Sequence, residues 1–576
     1  MMFGKPYFQL NHTDHLTNMT MSEFHAFRKE TARAFLQSAV LIDEEVSWDR
    51  GAPQALEETL ISPGKKAHKI DDSASVTNAI LANTKHPLFA SDVIDGFANQ
   101  GIVCGVICPK TNTPWMSRVL LACRKADIVI LDWNLKISDS TTGESETADN
   151  PGVHATNIVA ALAKVAIETN SLRLIAIYTG EEKSNNDFLV QISTAITALC
   201  KEQSIEIKSD LDRAMLSAGP MTVVITRKQI GKAIDGHLSE GDLPDHLITK
   251  FSEINSGLLK NAAISAVAAL RRKTFALINL FPEKMDAGYV AHRLSQQIPG
   301  DAEEHFINVV ASELHELLES SKDSESLTAK NLADWATDLN NSTPLNADFF
   351  GVGFAKASES LSMIFEAGFP AILEDKPATL DNKIFEWMQK DGKKPKKLHD
   401  IAANFGKVNE AEVANRLWAE RTVMRSHFEK PAPFLRPGTL VRNRDGYLMC
   451  IQQACDCRRV PKKGRAFLFL PLTIVTSKPD VVLQHNNEWL QLSIGKPCYE
   501  VMKKLFSPEK DKDAIRATKR VTKTGVRWIF SDQDGRQYAW VSALKPFHAQ
   551  RIMHRFAEGI SRVGVVESEW LHLLNK

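Results

Sequence analysis

Five short runs rich in Ile, Val and Leu constrain this chain more than any other feature. They are AVLIDEE (39–45), GIVCGVICP (101–109), ADIVILDWNL (126–135), LRLIAIYTG (172–180) and MTVVITRK (221–228). Their apolar cores span only about five to eight residues, too short for buried helices. Near-continuous apolar composition marks strands buried on both faces. Longer stretches of helical spacing, such as RVLLACRKA and NIVAALAKVAIE, separate them, and this alternation predicts a parallel α/β sheet. The sheet region is placed at 32–235, after a lead-in over 1–31 that ends in the start of a helix.

The remainder follows other patterns. Between 236 and 430, segments such as DHLITKFSEINSGLLKNAAISAVAALRRK and EEHFINVVASELHELLESS carry apolar residues every three or four positions, so an all-helical region is expected. From 431 to 576 a mixed, β-rich domain is expected. Asp445-Gly446 is the turn signal of one hairpin, and a second Asp-Gly turn follows GVRWIF. RAFLFLPLTIV and VVLQHNNEWLQLSI read as further strands, and HAQRIMHRFAEGISRVGVVESEWLHLL as a closing helix.

Charge excludes some function classes. The 70 Lys and Arg are cancelled by 70 Asp and Glu, which rules out a uniformly basic or uniformly acidic chain. The distribution is uneven, because residues 421–576 hold 28 Lys and Arg against 14 Asp and Glu. RRVPKKGR (458–465) and KDKDAIRATKRVTKTGVR supply much of that excess. A solvated face or a dock for the acidic remainder accounts for such a patch. A nucleic-acid contact, with Trp528, Tyr538 and Trp540 offered for base stacking, is the competing reading. The N-terminus lacks the pattern of a secretory signal, and no apolar run approaches the roughly 18–20 residues of a membrane span. Eight scattered cysteines read as reduced thiols, so a cytoplasmic protein with no membrane partner is expected.

Open parallel sheets bind ligands outside the carboxyl ends of their strands. That rule gathers Asp43 and Glu44 after the first run, Asp132 after the third, Thr179 at the end of the fourth and Lys228 at the end of the fifth. Each alone reads as a cap, a turn or a solvated charge. Together, three carboxylates at one edge call for a cation. Oxygen ligands of this kind suit Mg²⁺, and the neighbouring hydroxyl and ammonium suit a phosphoryl group.

In VLIDEE, VILDWNL, AIYTGE and VITRK the chain resembles the receiver domain of two-component response regulators. The resemblance implies a flavodoxin-like (βα)₅ fold with insertions. It also implies a sensor histidine kinase as partner and Asp132 as phosphoacceptor. Asp43, Glu44, Asp132 and the backbone carbonyl of Asn134 would hold Mg²⁺, while Thr179 and Lys228 would contact the phosphoryl oxygens. The sequence departs from the common pattern in three ways. Glu44 and Asp132 are about twice as far apart as usual, with extra material at 50–95, 136–152 and 181–215. Ile225 replaces a common aromatic residue, and Gln229 replaces the common proline. In these features it is similar to the enlarged receiver domains of bacterial defence operons. The whole chain resembles the stand-alone receivers of Detocs-type antiphage systems, which implies a phosphate sink beside a second receiver that carries an effector.

Other chemistry-bearing residues have no comparable pattern. Cys450, Cys455 and Cys457 lie close together, but their spacing is irregular for zinc, and only Cys498 or a distant His is available as a fourth ligand. Cys455 beside Asp456 is the one candidate for a C-terminal hydrolase, without a nearby His. His305 and His315 lie on expected helices, where a surface role outweighs phosphotransfer. The absence of recognisable catalytic motifs makes an enzyme effector unexpected.

Overall fold

The computed structural model describes residues 23–44, 46–48, 88–109, 114–135, 152–180, 185–229, 234, 236–296, 300–321, 326–345, 347–391, 394–406, 408–426, 432–494, 500–509, 514–522 and 525–561. Two compact units are present: 1–342 with 358–367, and 343–357 with 368–576.

The first unit is built on β1 (Ser38–Ile42), β2 (Val103–Ile107), β3 (Ile128–Leu131), β4 (Arg173–Thr179) and β7 (Met221–Lys228). These five strands are parallel and adjacent in the order β2-β1-β3-β4-β7, the flavodoxin-like arrangement. A hairpin of β5 (Lys208–Asp210) and β6 (Met215–Ala218) extends the sheet antiparallel beyond β7. The two residues of β8 (His237–Leu238) pair with Arg227 and Lys228.

Side chains alternate between faces along a strand, and both faces here are covered. On one face Val129, Leu131, Ile175, Ile177, Val223 and Ile225 pack under α3 (Trp115–Cys123), α4 (Val153–Thr169) and α5 (Asn185–Glu202). On the other, Leu41, Ile128, Ile130, Leu174, Ala176 and Val224 meet residues of α1 (Glu23–Phe35), α2 (Ala90–Asn99) and α6 (Leu243–Ile254). Double burial explains why these strands are nearly unbroken Ile and Val. The sequence insertions at 136–151 and most of 50–95 lie outside the described residues. The insertion at 181–215 includes α5 and β5.

After the sheet come α7 (Leu258–Asn279), α8 (Asp286–Ser295), α9 (Gly300–Ser320) and α10 (Ala329–Ser342), the expected helical region. That region also contains one short antiparallel ladder, Gln389–Asp391 with Lys394–Pro395, which periodicity did not reveal. No helix among the described residues is long and apolar enough to cross a membrane.

The second unit is dominated by a nine-stranded sheet whose strand pairings, among the described residues, are all antiparallel. Its path is β12 (Val481–His485), β13 (Glu488–Ile494), β11 (Arg465–Ile474), β10 (Tyr447–Cys450), β9 (Thr439–Arg442), β17 (Gln537–Ala543), β16 (Gly525–Ser531) and β15 (Thr518–Thr522), with β14 (Met502–Phe506) also on β11. Alternation again serves two cores. Leu440, Met449 and Leu470 pack with Ile552 of α11 (Pro546–Ser561), whereas Val441, Leu448 and Phe469 pack with Phe506 and Phe530.

Candidate functional site

The acids read from the sequence are placed by the ladder itself. Ile42 pairs with Leu131, and Leu131 with Ile177, so β1 and β3 end together while β4 runs two residues further. Beyond the strand ends, the Asp132 N–H donates to the Ile42 carbonyl at 3.0 Å and the Asp43 N–H to the Ile107 carbonyl at 3.3 Å. These two hydrogen bonds continue the sheet and fix the backbone beneath both carboxylates.

Asp43 is buried and Asp132 half-buried. The Asp132 carboxyl is pushed up to about 8, chiefly by burial and then by the negative charges of Asp43 and Glu44. Lys228 and the Asn134 N–H, which donates to the Asp132 carboxylate at 3.0 Å, act against that rise. The acid pair, Asp132 and Lys228 therefore share one electrostatic neighbourhood. Thr179, also buried, ends the adjacent strand opposite Arg227, one residue before Lys228.

Lys228 is only 4 % exposed. Its Nζ lies 5.9 Å from the centroid of the Tyr178 ring. The Tyr178 hydroxyl donates to the Leu238 carbonyl at 2.9 Å, and the Gln229 N–H donates to the same carbonyl at 2.8 Å. Tyr178 and β8 thus brace the lysine, a role nothing in the local sequence announces.

Trp133, next to Asp132, is 1 % exposed and packs in the core beneath the sheet. Gly152 faces it with φ +90°, and a Cβ there would lie 2.1 Å from the indole. Only glycine fits both the left-handed backbone and the close approach. Trp133 and Gly152 were missed because a buried aromatic and a lone glycine carry no motif.

Among the described residues, no group of three or more His, Cys, Asp or Glu side chains forms a ready metal cage. That is compatible with Mg²⁺, which takes one or two carboxylates and keeps several waters. The mutual repulsion at Asp132 is the observation that favours a cation here.

The other candidates do not assemble into sites. Cys450 and Cys457 are buried, and their hydrogen bond together with burial pushes the Cys457 thiol up, away from a reactive thiolate. Cys455 is exposed, while Asp456 is engaged by Arg465 and by Gln452 at 2.7 Å. Cys498 lies outside the described residues. His305 contacts the His292 ring at 5.0 Å, and His315 pairs with Glu319 at 3.0 Å on an exposed surface. Tyr538, offered for base stacking from sequence, is fully buried with its hydroxyl donating to Asp532 at 2.9 Å. Trp528 and Trp540 are partly buried against the same core.

Comparison with protein families gives one match: residues 35–233, about a third of the chain, fit the family described as response receiver domain. No curated protein and no solved structure matches. The matched interval begins just before β1 and ends just after β7, and so takes in the whole five-stranded parallel sheet. Residues 35–233 therefore form a divergent response receiver domain, the class of domain that accepts phosphate in two-component signalling.

Proposed function

We propose that this protein is a phosphoacceptor of a phosphorelay and that Asp132 is the residue phosphorylated. The observation that carries this reading is the convergence of Asp43, Glu44 and Lys228 on the Asp132 carboxyl. A carboxylate oxygen of Asp132 attacks the phosphorus of a phosphohistidine on a sensor kinase. The P–N bond breaks, and its electron pair leaves on the imidazole, which takes up a proton. Lys228 neutralises charge growing on the phosphoryl oxygens, and the Thr179 hydroxyl donates to one of them. From Asp43, Glu44, Asp132 and the Asn134 carbonyl, Mg²⁺ would draw one or two carboxylates and the carbonyl, keeping waters for the rest, and when bound it supplies positive charge to the same oxygens.

In this reading the receiver of residues 32–235 takes the phosphoryl group, while 236–430 and 431–576 carry no enzyme effector. A protein that accepts phosphate without an enzymatic output acts as a phosphate sink beside a second, effector-bearing receiver. Antiphage defence in the cytoplasm is the setting that the resemblance supplies. The decisive experiment is labelling by a small phosphodonor such as acetyl phosphate, or by the cognate kinase, with Mg²⁺ present. Wild type is expected to label and Asp132→Ala to lose at least 100-fold. An alanine variant that labels like wild type would sink the assignment.

A further inference from the structure

Helix α7 carries an apolar stripe that outruns the helix it packs on. Ile264, Ala268 and Phe275 fall on one side of α7, because steps of four and seven residues return to nearly the same direction. The first half of the stripe is covered where α7 lies along α1, and Ile264, Ala268 and Ala269 are buried there. Phe275 continues the same line and is 80 % exposed.

The two helices that follow repeat the pattern. On α8, Val290 and Leu294 lie one turn apart, the first more than half exposed and the second 80 % exposed. Ile278, Leu280 and, on α9, Ile307 are also more than half exposed. Among the described residues from 270 to 320, Ala302 alone is buried. The three helices are nonetheless held to one another. α9 packs against both α7 and α8, and its Phe306 ring meets Phe281 at 5.5 Å and Tyr289 at 6.1 Å.

Helices persist in proteins mainly by burying an apolar face, not by propensity alone. Phe275, Ile278, Leu280, Val290, Leu294 and Ile307 expose on the order of 700 Å². The largest apolar patch on a typical monomer is about 300–600 Å². Each partner in a standard stable interface contributes about 800 Å², so this surface is the size that a dimer needs.

Charge indicates what covers it. α7 contains four Lys and Arg and no acid, whereas α9 contains six Asp and Glu and no Lys or Arg. Within the chain Arg271 pairs with Asp127, and Glu303 with Arg293. Lys273 on α7 and Glu316 on α9 are exposed. A surface with one purely basic helix, one purely acidic helix and apolar side chains on both is complementary to itself. Under a two-fold axis the basic helix of one copy faces the acidic helix of the other, and the pairing occurs twice. We propose that α7, α8 and α9 form the interface of a symmetric dimer of this chain. The inference stands apart from the phosphoacceptor reading and uses none of its residues.

The test is sedimentation equilibrium of the full-length protein between about 1 and 50 µM, a range that brackets a micromolar dissociation constant. Wild type is expected to approach twice the 64.1 kDa of one chain. Phe275→Glu combined with Leu294→Glu places charge in the apolar contact and should raise the dimer Kd at least 100-fold. Both positions are exposed, so circular dichroism should be unchanged. Lys273→Glu should weaken the dimer severalfold by setting like charges against each other. Val521→Glu, at an equally exposed apolar position in the second unit, should leave the dimer intact. Three results overturn the proposal. These are a wild-type chain that stays monomeric throughout, which would leave the surface to a different protein, folded Phe275→Glu/Leu294→Glu protein that dimerises like wild type, or equal dissociation by Val521→Glu.

Discussion

The protein builds two large sheets from opposite rules. In the parallel sheet of the first unit, β3 is buried at every residue and β7 at all but one, and the charged residues of the site sit at one edge. In the antiparallel sheet of the second unit, β10 is buried throughout and β9 at all but Arg442, whereas residues 518–521 of the edge strand β15 are exposed. On β16 the first three residues are exposed, Arg527 among them. Concentrating charge at a half-buried edge couples groups strongly enough to shift an ionisation, as at Asp132. Spreading it over exposed strands leaves each charge screened by salt. The first arrangement suits chemistry on a single group.

The sharpest way to break this comparison is through one glycine in each unit. Gly152 has φ +90° with the Trp133 ring 2.1 Å from a built Cβ, and Gly438 has φ +82° with the Ala549 Cβ at 2.7 Å. Gly152→Ala should cost about 3–5 kcal/mol, combining backbone strain with overpacking against a side chain that has nowhere to go. Gly438→Ala should cost about 2–3 kcal/mol, because its nearest obstacle is a single methyl group. Hydrogen exchange of β3 amides for the first, and of β9 amides for the second, reads each effect locally. Equal losses would mean that the tightness around Trp133 has no energetic counterpart.

The electrostatic half of the comparison predicts a smaller effect with a definite sign. Asp132 holds its proton more tightly in the folded chain than in the unfolded one. In metal-free buffer, stability should therefore fall as pH rises from about 4, the unfolded value, toward about 8, and level off above it. Urea midpoints followed by tryptophan fluorescence measure this decline. Asp132→Asn should flatten it, and millimolar Mg²⁺ should oppose it at the alkaline end. A midpoint that rises with pH over that window in metal-free wild type would contradict the coupling at the site.

The smallest test compares two buried tyrosines. The Tyr538 hydroxyl donates to the buried carboxylate of Asp532, whereas that of Tyr178 donates to the Leu238 carbonyl, which the Gln229 N–H also satisfies. Tyr538→Phe should cost about 1.5–3 kcal/mol and Tyr178→Phe about 1 kcal/mol or less, because leaving a buried charged acceptor short is the greater loss. Thermal denaturation of the two variants orders them.

These contrasts also explain what could be read in advance. The five parallel strands were legible because double burial writes itself as continuous Ile, Val and Leu. The two hairpins at Asp445-Gly446 and Asp534-Gly535 were legible because their turns demand those residues. The hairpin of β5 and β6 was not, since KSD and MLSA are short, partly exposed and mixed in polarity. The edge acids, Thr179 and Lys228 stood out by position after recognisable strands. Tyr178, Trp133 and Gly152 did not, because their importance lies in what they touch.

The carbonyl of Leu238 ties down the chain where it leaves the receiver. Tyr178 and Gln229 both hang from that one oxygen, and the two-residue ladder of β8 lies against Arg227 and Lys228. Five residues later the chain enters α6, whose Leu243, Leu247 and Ile248 are sunk into the sheet. A shift of the backbone at Lys228 would therefore have to move the polypeptide that leaves the domain, as a pull on a cord tied at one knot. Ile225 stands where receivers commonly carry an aromatic residue, and in the proposed phosphoacceptor reading this tether would give a phosphoryl group at Asp132 another route to the helices that follow.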